Sequence, residues 1–162
     1  MPALAEEPGW RGFALPQLQS SYGPLLGSLI LGALHMSWHL PVFFIHDGIM
    51  AMAPFKPGDF AYQILTSMVI TVIWAWVFNN ARGSIFMAMV LHGTNNGVGA
   101  LASGWGAQFS APNVGTLGDM LFAACALLIV ACTRGRLSYT PGLALPAAEA
   151  AISAEQPAPK AG

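Results

Sequence analysis

Residues 24–46 read PLLGSLILGALHMSWHLPVFFIH, a run without a single Asp, Glu, Lys or Arg. About 20 mostly apolar residues cross a bilayer as a helix, so Pro24–His46 is predicted to span a membrane. Similar charge-free runs extend from Phe60 to Ala81, from Gly83 to Gly118 and from Met120 to Thr133. They predict three further spans, Ala61–Asn79, Ser84–Ser103 and Thr116–Thr133, the last being the shortest and carrying Asp119 near its start. The expected fold is all-α, a polytopic membrane helix bundle with about four transmembrane helices.

The composition of the whole chain agrees. Of its 162 residues, 55% are hydrophobic and 8% charged, against roughly a quarter charged in an average soluble domain. Six basic and seven acidic side chains cannot cover a water-facing surface of this size, so lipid must replace water as the outer solvent. The net charge of −1 provides no basic field for phosphates, which excludes nucleic acid as a partner. Cys125 and Cys132 lie in one apolar run without CxxC spacing. They form neither a disulfide framework nor a zinc knuckle and read as small core residues. Residues 1–20 do not read as a secretory signal, because Glu6 and Glu7 stand where a basic region belongs.

Basic residues are enriched on cytoplasmic flanks of spans. Four spans place Arg11, Arg82, Arg134 and Arg136 on one side and Lys56 alone on the other. Both termini are therefore expected in the cytoplasm, with the plasma membrane as the expected location. The stretch Pro141–Gly162 is Ala, Pro and Gly with few large apolar residues, a composition that cannot bury a core. The chain divides into a membrane domain, 1–136, and a disordered tail, 137–162; no internal repeat is evident.

Polar side chains inside the spans carry the functional reading, since each is costly in hydrocarbon and usually faces a partner or a wet cavity. His35 and His39 lie four apart in LHMSWHLP, one helical turn on the same face. His92, Asn95 and Asn96 stand in LHGTNNGVG, with His92 and Asn96 again four apart. Ahead of the first span, LAEEPGWRGFALP gathers Glu6, Glu7 and Arg11. Taken singly, each cluster has a bland reading. An intramembrane histidine or asparagine beside Gly93 and Gly97 serves as packing glue, Glu6, Glu7 and Arg11 form an interfacial ion pair of little worth, and His46 is an interfacial residue without a role. Together, a carboxylate pair, two intramembrane histidine clusters and an amide are what acid–base hydrolysis in a dry site needs: a general base and donors to a developing oxyanion. There is no GxSxG and no HExxH, and Met36 stands between the first two histidines where a zincin has its glutamate. A serine hydrolase or soluble-type zinc protease is thereby disfavoured.

EEPGWRG, an apolar span ending in WHLP and a later HGTNNG together resemble the CPBP family of intramembrane proteases, which includes the type II CAAX prenyl proteases and bacteriocin-processing or immunity proteins. The family's motifs, EExxxR, FxxxH and HxxxN or HxxxD, occur here in order as Glu6, Glu7 and Arg11, then His39, then His92 with Asn96. The resemblance covers residues 5–99 and implies a membrane-embedded, glutamate-dependent peptide hydrolase. By position, Glu6 with His39 would activate a water, His92 and Asn96 would hold the oxyanion, and Glu7 and Arg11 would orient or balance the site. Two chemistries fit these residue types: a metal-free glutamate and histidine mechanism, or a divalent metal such as zinc on Glu6, His39 and His92, with three O and N ligands and an open fourth position.

Three departures accompany the match. His35 occupies the position where the family carries Phe or another apolar residue, as a partner for His39 or a tolerated variant. Pro8 and Gly9 follow the glutamates and disfavour simple helical pairing of Glu7 with Arg11. Family members also carry membrane helices ahead of the glutamates, so an N-terminally truncated chain is expected here, whether as a shortened reading frame, a fragment or an inactive remnant. Glu6 and Glu7 themselves fall outside the spans and reach the histidines only if their segment enters the bundle. The expected partners are membrane lipid and a membrane-tethered peptide or protein, prenylated or leader-like. The alternatives are a non-enzymatic immunity or scaffold protein that keeps the fold and, less favoured for want of an inverted repeat, a small transporter subunit.

Overall fold

The computed structural model describes residues 2–44, 55–109 and 114–142. These residues are helical, with no strand among them. In chain order they form α1 (Pro2–Gly9), a π-helical turn (Trp10–Ala14), α2 (Leu15–Tyr22), α3 (Pro24–Trp38), a 3-10 turn (Leu40–Phe44), α4 (Pro57–Asn80), α5 (Ile85–Phe109) and α6 (Val114–Thr133). The four predicted spans fall on α3 with its 3-10 extension, α4, α5 and α6; α5 runs past Ser103 to Phe109, and positions 45 and 46 of the first span lie outside the described residues. Among the described residues, Pro24–Phe44 and Pro57–Asn80 are long and apolar enough to cross a membrane, and the apolar part of α6, Leu117–Thr133, is shorter. Only 28% of each apolar window is buried within the bundle, and Leu26, Leu34, Leu65, Phe86, Leu121 and Leu127 are exposed. Faces this apolar need lipid around them. The protein is an all-α membrane bundle.

The largest difference from expectation is the N-terminal segment. It is not a loop flanking the first span but a helix running from Pro2 to Tyr22 through the π turn. A buried stripe of Ala3, Glu7, Arg11, Leu15 and Gln19 recurs every four positions, with Pro16 buried beside it. In an α-helix of 3.6 residues per turn such a stripe drifts by about 40° at each step. The wider π turn in its middle takes up part of that drift, and π bulges of this kind concentrate at functional sites. Pro8 therefore does not break the helix ahead of Arg11. Gly12 lies where the π turn meets α5, and a Cβ there would come 2.9 Å from Cδ1 of Ile85, a side-chain end that can shift.

α3 and α4 make the most extensive contact. The buried face of α3 is Gly27, Ser28, Leu31, Gly32 and His35, and the small residues let backbones touch. A Cβ on Gly32 would come within 2.6 Å of Cα of Met68, and one on Gly27 within 2.7 Å of the Leu18 carbonyl. At the same crossing the Ser67 hydroxyl donates to the Gly32 carbonyl at 2.9 Å. α3 ends at Trp38 because Pro41 has no N–H to continue the ladder; the chain tightens into the 3-10 turn with His39 as the cap. His46 lies outside the described residues.

α4 and α6 end alike, in Arg-Gly pairs with left-handed backbone: Arg82 (φ 55) and Gly83 (φ 74), Arg134 (φ 52) and Gly135 (φ 74). Gly83 N–H returns to the Phe78 carbonyl and Gly135 N–H to that of Val130, both at 2.9 Å, the six-to-one bond of a Schellman cap. Asn79 Nδ2 donates to the Leu137 carbonyl at 2.9 Å, so these two helix ends are neighbours. Leu137, expected to begin the tail, is fully buried in the core cluster with Leu15, Leu31 and Phe78. The packed domain thus passes 136, and the tail beyond residue 142 lies outside the described residues. Cys125 and Cys132 are exposed on α6, not core residues, because the buried face of that helix is Ala126 and Ile129.

Gly32→Ala and Gly27→Ala are each expected to cost about 1–3 kcal/mol through backbone overpacking. Gly93→Ala, with nothing within 4 Å of its Cβ position, serves as the neutral control. Thermal unfolding in detergent micelles checks all three.

Candidate active site

Glu6 and Glu7 are adjacent on α1 and so point about 100° apart around its axis. That divergence sends one carboxylate to each of two neighbouring helices. Glu7, fully buried, receives Arg11 Nη1 at 2.8 Å and His92 Nδ1 at 2.6 Å, both on the same oxygen, Oε1. An ionised carboxylate only accepts, so His92 donates through Nδ1 and its Nε2 is turned towards Glu6, 3.9 Å from Oε2. Glu6 meets α3 instead: His35 Nε2 stands 3.2 Å from the same Oε2. Helical pairing of Glu7 with Arg11 is thus realised in spite of Pro8.

Aromatic rings fix the histidines from the sides. Trp10 packs on His35 at 5.0 Å between centroids, Trp38 on His39 at 5.0 Å and Trp74 on His92 at 5.4 Å. The Arg11 guanidinium lies 4.7 Å over the Trp74 ring, so its positive charge is offset by a carboxylate and a π face. The His35 ring is 5.3 Å from His39 and 5.8 Å from His92. An open cavity of about 380 Å³ adjoins this cluster, lined by Arg11, His35, His39, His92, Asn95 and Asn96 with polar residues of α4. Asn96 is exposed and Asn95 half-buried on its wall. Every residue expected at the site, Glu6, Glu7, Arg11, His39, His92 and Asn96, therefore belongs to this one cluster or the wall beside it.

Residues 1–98 match the model of the type II CAAX prenyl endopeptidase Rce1-like family. The chain belongs to that family. It is also similar to CAAX prenyl protease 2 of Methanococcus maripaludis, 33% identical over 94 residues, which cover 56% of this chain and 34% of the relative. The chain thus spans about a third of the length of that curated relative. No solved structure matches. The Rce1-like match contains all three motifs and ends within α5, so α6 and the Leu137 turn lie beyond it.

Within this Rce1-like site the structure differs from the sequence expectation in two respects. His35 is in direct contact with Glu6 and buried, so it is neither a bystander nor merely a neighbour of His39. Its only sequence signal was the four-residue spacing to His39. Arg11, 1% exposed, is no flanking charge, whereas Arg82, Arg134, Arg136 and Lys56 are exposed. Trp10 and Trp74, which read from sequence as ordinary apolar residues, are the walls that hold the rings.

The donor chemistry suits a divalent metal, but with a different membership. Glu6, His35 and His39 each offer a ligand atom, and these atoms lie within 4.8 Å of one another. Ligands of a tetrahedral zinc stand about 3.3 Å apart, so the three donors would have to draw closer to hold one. His92, the other candidate ligand, is outside this group, although its Nδ1 bond to Glu7 leaves Nε2 free, 3.9 Å from Glu6 Oε2.

Arg11→Met leaves Glu7 as an unpaired buried charge apart from its bond to His92, which costs about 3–5 kcal/mol. The double variant Arg11→Met with Glu7→Leu removes both charges and is expected to lose less stability than the single one. Comparing their unfolding in micelles decides whether this is a buried ion pair or a tolerated packing contact.

Proposed function

We propose that this chain is an intramembrane endopeptidase that hydrolyses a peptide bond in a membrane-tethered substrate, using a water activated by Glu6. The observation that carries the reading is the seating of the Glu6 carboxylate among three histidines beside an open cavity in an otherwise apolar bundle. Glu6 takes a proton from the water while His39 orients it, and the water oxygen attacks the scissile carbonyl carbon. The carbonyl electron pair moves onto oxygen. The His92 ring and the Asn96 amide hold the resulting oxyanion. Collapse of this tetrahedral species expels the amine, which leaves with the proton that Glu6 had taken. Glu7 and Arg11 keep the His92 ring in place. Where a divalent ion binds, Glu6, His35 and His39 would hold it, and it would supply Lewis-acid polarisation of a carbonyl or water.

The substrate is read as a lipidated, specifically prenylated, protein C-terminus. Membership of the Rce1-like family supports this, as does a second, more apolar cavity of about 410 Å³ between α4 and α6. It shares Tyr62, Thr66 and Asp119 with the first. Tyr62 donates to Asp119 Oδ2 at 2.6 Å where the two cavities meet, so an apolar chain in one would lie beside a peptide in the other. The plasma membrane is the proposed location, with both termini cytoplasmic, on the side marked by Arg82, Arg134 and Arg136.

Glu6→Gln, His39→Ala and His92→Ala are each expected to lower cleavage by at least about 100-fold while membrane insertion is retained. The check is a comparison of new peptide termini in membranes from cells carrying wild type, Glu6→Gln or no protein. Termini seen only with wild type support the reading and name the substrates. Identical termini in all three samples, with the protein inserted, would replace it with a binding-only role.

A further inference from the structure

We infer that the cavity where the end of α6 meets the start of α3 binds one anionic phospholipid, its phosphate at Arg134 and an acyl chain along Leu25, Leu26 and Leu29. The inference stands apart from the hydrolase reading above and shares no residue with that site.

Its first support is the lining of the cavity. A volume of about 450 Å³ is bounded by Tyr22, Leu25, Leu26, Leu29 and Arg134 with the turn glycines beside them. Leu26 is exposed, while Leu25 and Leu29 are half-buried. Spaced one, three and four residues apart, the leucines share one side of α3, and they lead from the arginine towards the middle of the span. A guanidinium and a phenol above an apolar strip repeat the order of a phospholipid, headgroup above chain. Arginine pairs strongly with phosphate oxygens, and tyrosine suits the interface between headgroup and hydrocarbon.

Charge at this end of the bundle selects the kind of lipid. The bond from Asn79 to the Leu137 carbonyl makes the ends of α4 and α6 neighbours, which brings Arg82, Arg134 and Arg136, all exposed, to one end. Among the described residues none of the three is ion-paired. The described carboxylates are elsewhere: Asp59 and Asp119 near the starts of α4 and α6, Glu6 and Glu7 in the histidine cluster. An anionic headgroup is therefore attracted here, and the ammonium of a zwitterionic one finds no described carboxylate.

Arg134 is also fixed in place. It has left-handed backbone (φ 52), a conformation that side-chain-bearing residues seldom adopt, within the turn closed by the Gly135 to Val130 bond. That turn is seated on α3, since a Cβ on Gly135 would lie 3.6 Å from Cδ2 of Leu25. The arginine thus belongs to the wall of the cavity.

The test is native mass spectrometry of the full chain, released from zwitterionic micelles and titrated with phosphatidylglycerol or with phosphatidylcholine of the same acyl chains. Each basic residue near a membrane surface favours an anionic lipid about fivefold, so the first phosphatidylglycerol is expected to bind at least about tenfold more tightly than phosphatidylcholine. Arg134→Gln is expected to weaken that step about fivefold or more. Leu26→Trp, which fills the groove from an exposed position, is expected to weaken it at least as much and carries the test should Arg134→Gln not fold. Arg82→Gln and Arg136→Gln remove the same charge outside the cavity and should each stay within about twofold of wild type, as should Lys56→Gln at the opposite end. Glycerophosphoglycerol, the headgroup without chains, is expected not to compete. Equal affinity for the two lipids, or wild-type affinity in a folded Arg134→Gln or Leu26→Trp, would overturn the site. So would equal losses in the three arginine variants, which mark diffuse surface attraction, or full competition by the headgroup alone. Proteolysis is not read in any arm, so the site and the hydrolase reading stand or fall separately.

Discussion

Inside a bundle whose outer solvent is lipid, the Glu7 carboxylate and the Arg11 guanidinium are sealed from water and must be satisfied by what the protein itself brings to them. Taking two such charges out of water costs several kcal/mol per ion, which only close pairing and further hydrogen bonds offset. Here the pairing is one turn of helix, and the further bond comes from His92 on α5, 85 residues away in sequence. The Trp74 face of α4 closes over the guanidinium. One buried cluster therefore fastens the N-terminal helix to both α4 and α5, with Glu7 Oε2 and Arg11 Nε left without a hydrogen-bond partner of their own among the described residues.

The position of Glu6 follows from that constraint. With Glu7 held against α5, its neighbour must project about 100° away around α1, and the group that lies there is His35 of α3. The π turn keeps the four-residue stripe of Glu7, Arg11, Leu15 and Gln19 on the buried side, where an unbroken α-helix would rotate its later members outward. On the other side, the close crossing of α3 over α4 at Gly32 sets the rotation of α3 about its own axis. That rotation decides that His35 faces the interior and that His39, at the helix end, is half-buried beside the cavity. The site is thus the meeting point of two constraints, a buried ion pair on one side and a glycine-mediated helix contact on the other. Its members need not be close in the chain.

Much of this was legible beforehand. Charge-free length placed α4, α5 and α6 closely and α3 up to its proline, because a span is recognised by the absence of charge over a set distance. Residue type and spacing marked Glu6, Glu7 and Arg11, the pair His35 and His39, and His92 with Asn95 and Asn96, and the resemblance to the family's motifs selected Glu6, Glu7, Arg11, His39, His92 and Asn96 among them. The role of His35 was not legible: a pair of histidines four apart says that they share a face, but not which one meets a carboxylate from elsewhere. Arg11 was misplaced among the flanking charges because a span count has no means of knowing that its partner is buried beside it. Cys125 and Cys132 were misread for a related reason, as small apolar side chains on a membrane helix suit the lipid face as well as the core.

What the sequence by itself determined is the all-α membrane architecture, the approximate course of its long helices and a set of candidate site residues. These depend on local properties: hydropathy over a bilayer's thickness, helix-stopping residues such as Pro41, and spacings within one or two turns. Only the tertiary structure decided that residues 2–22 are part of the bundle, that the two glutamates divide between two helices, and that Leu137 belongs to the core. Those outcomes rest on contacts between groups 29 to 85 residues apart. Their energy comes from satisfying buried polar atoms across helices, which no local pattern encodes.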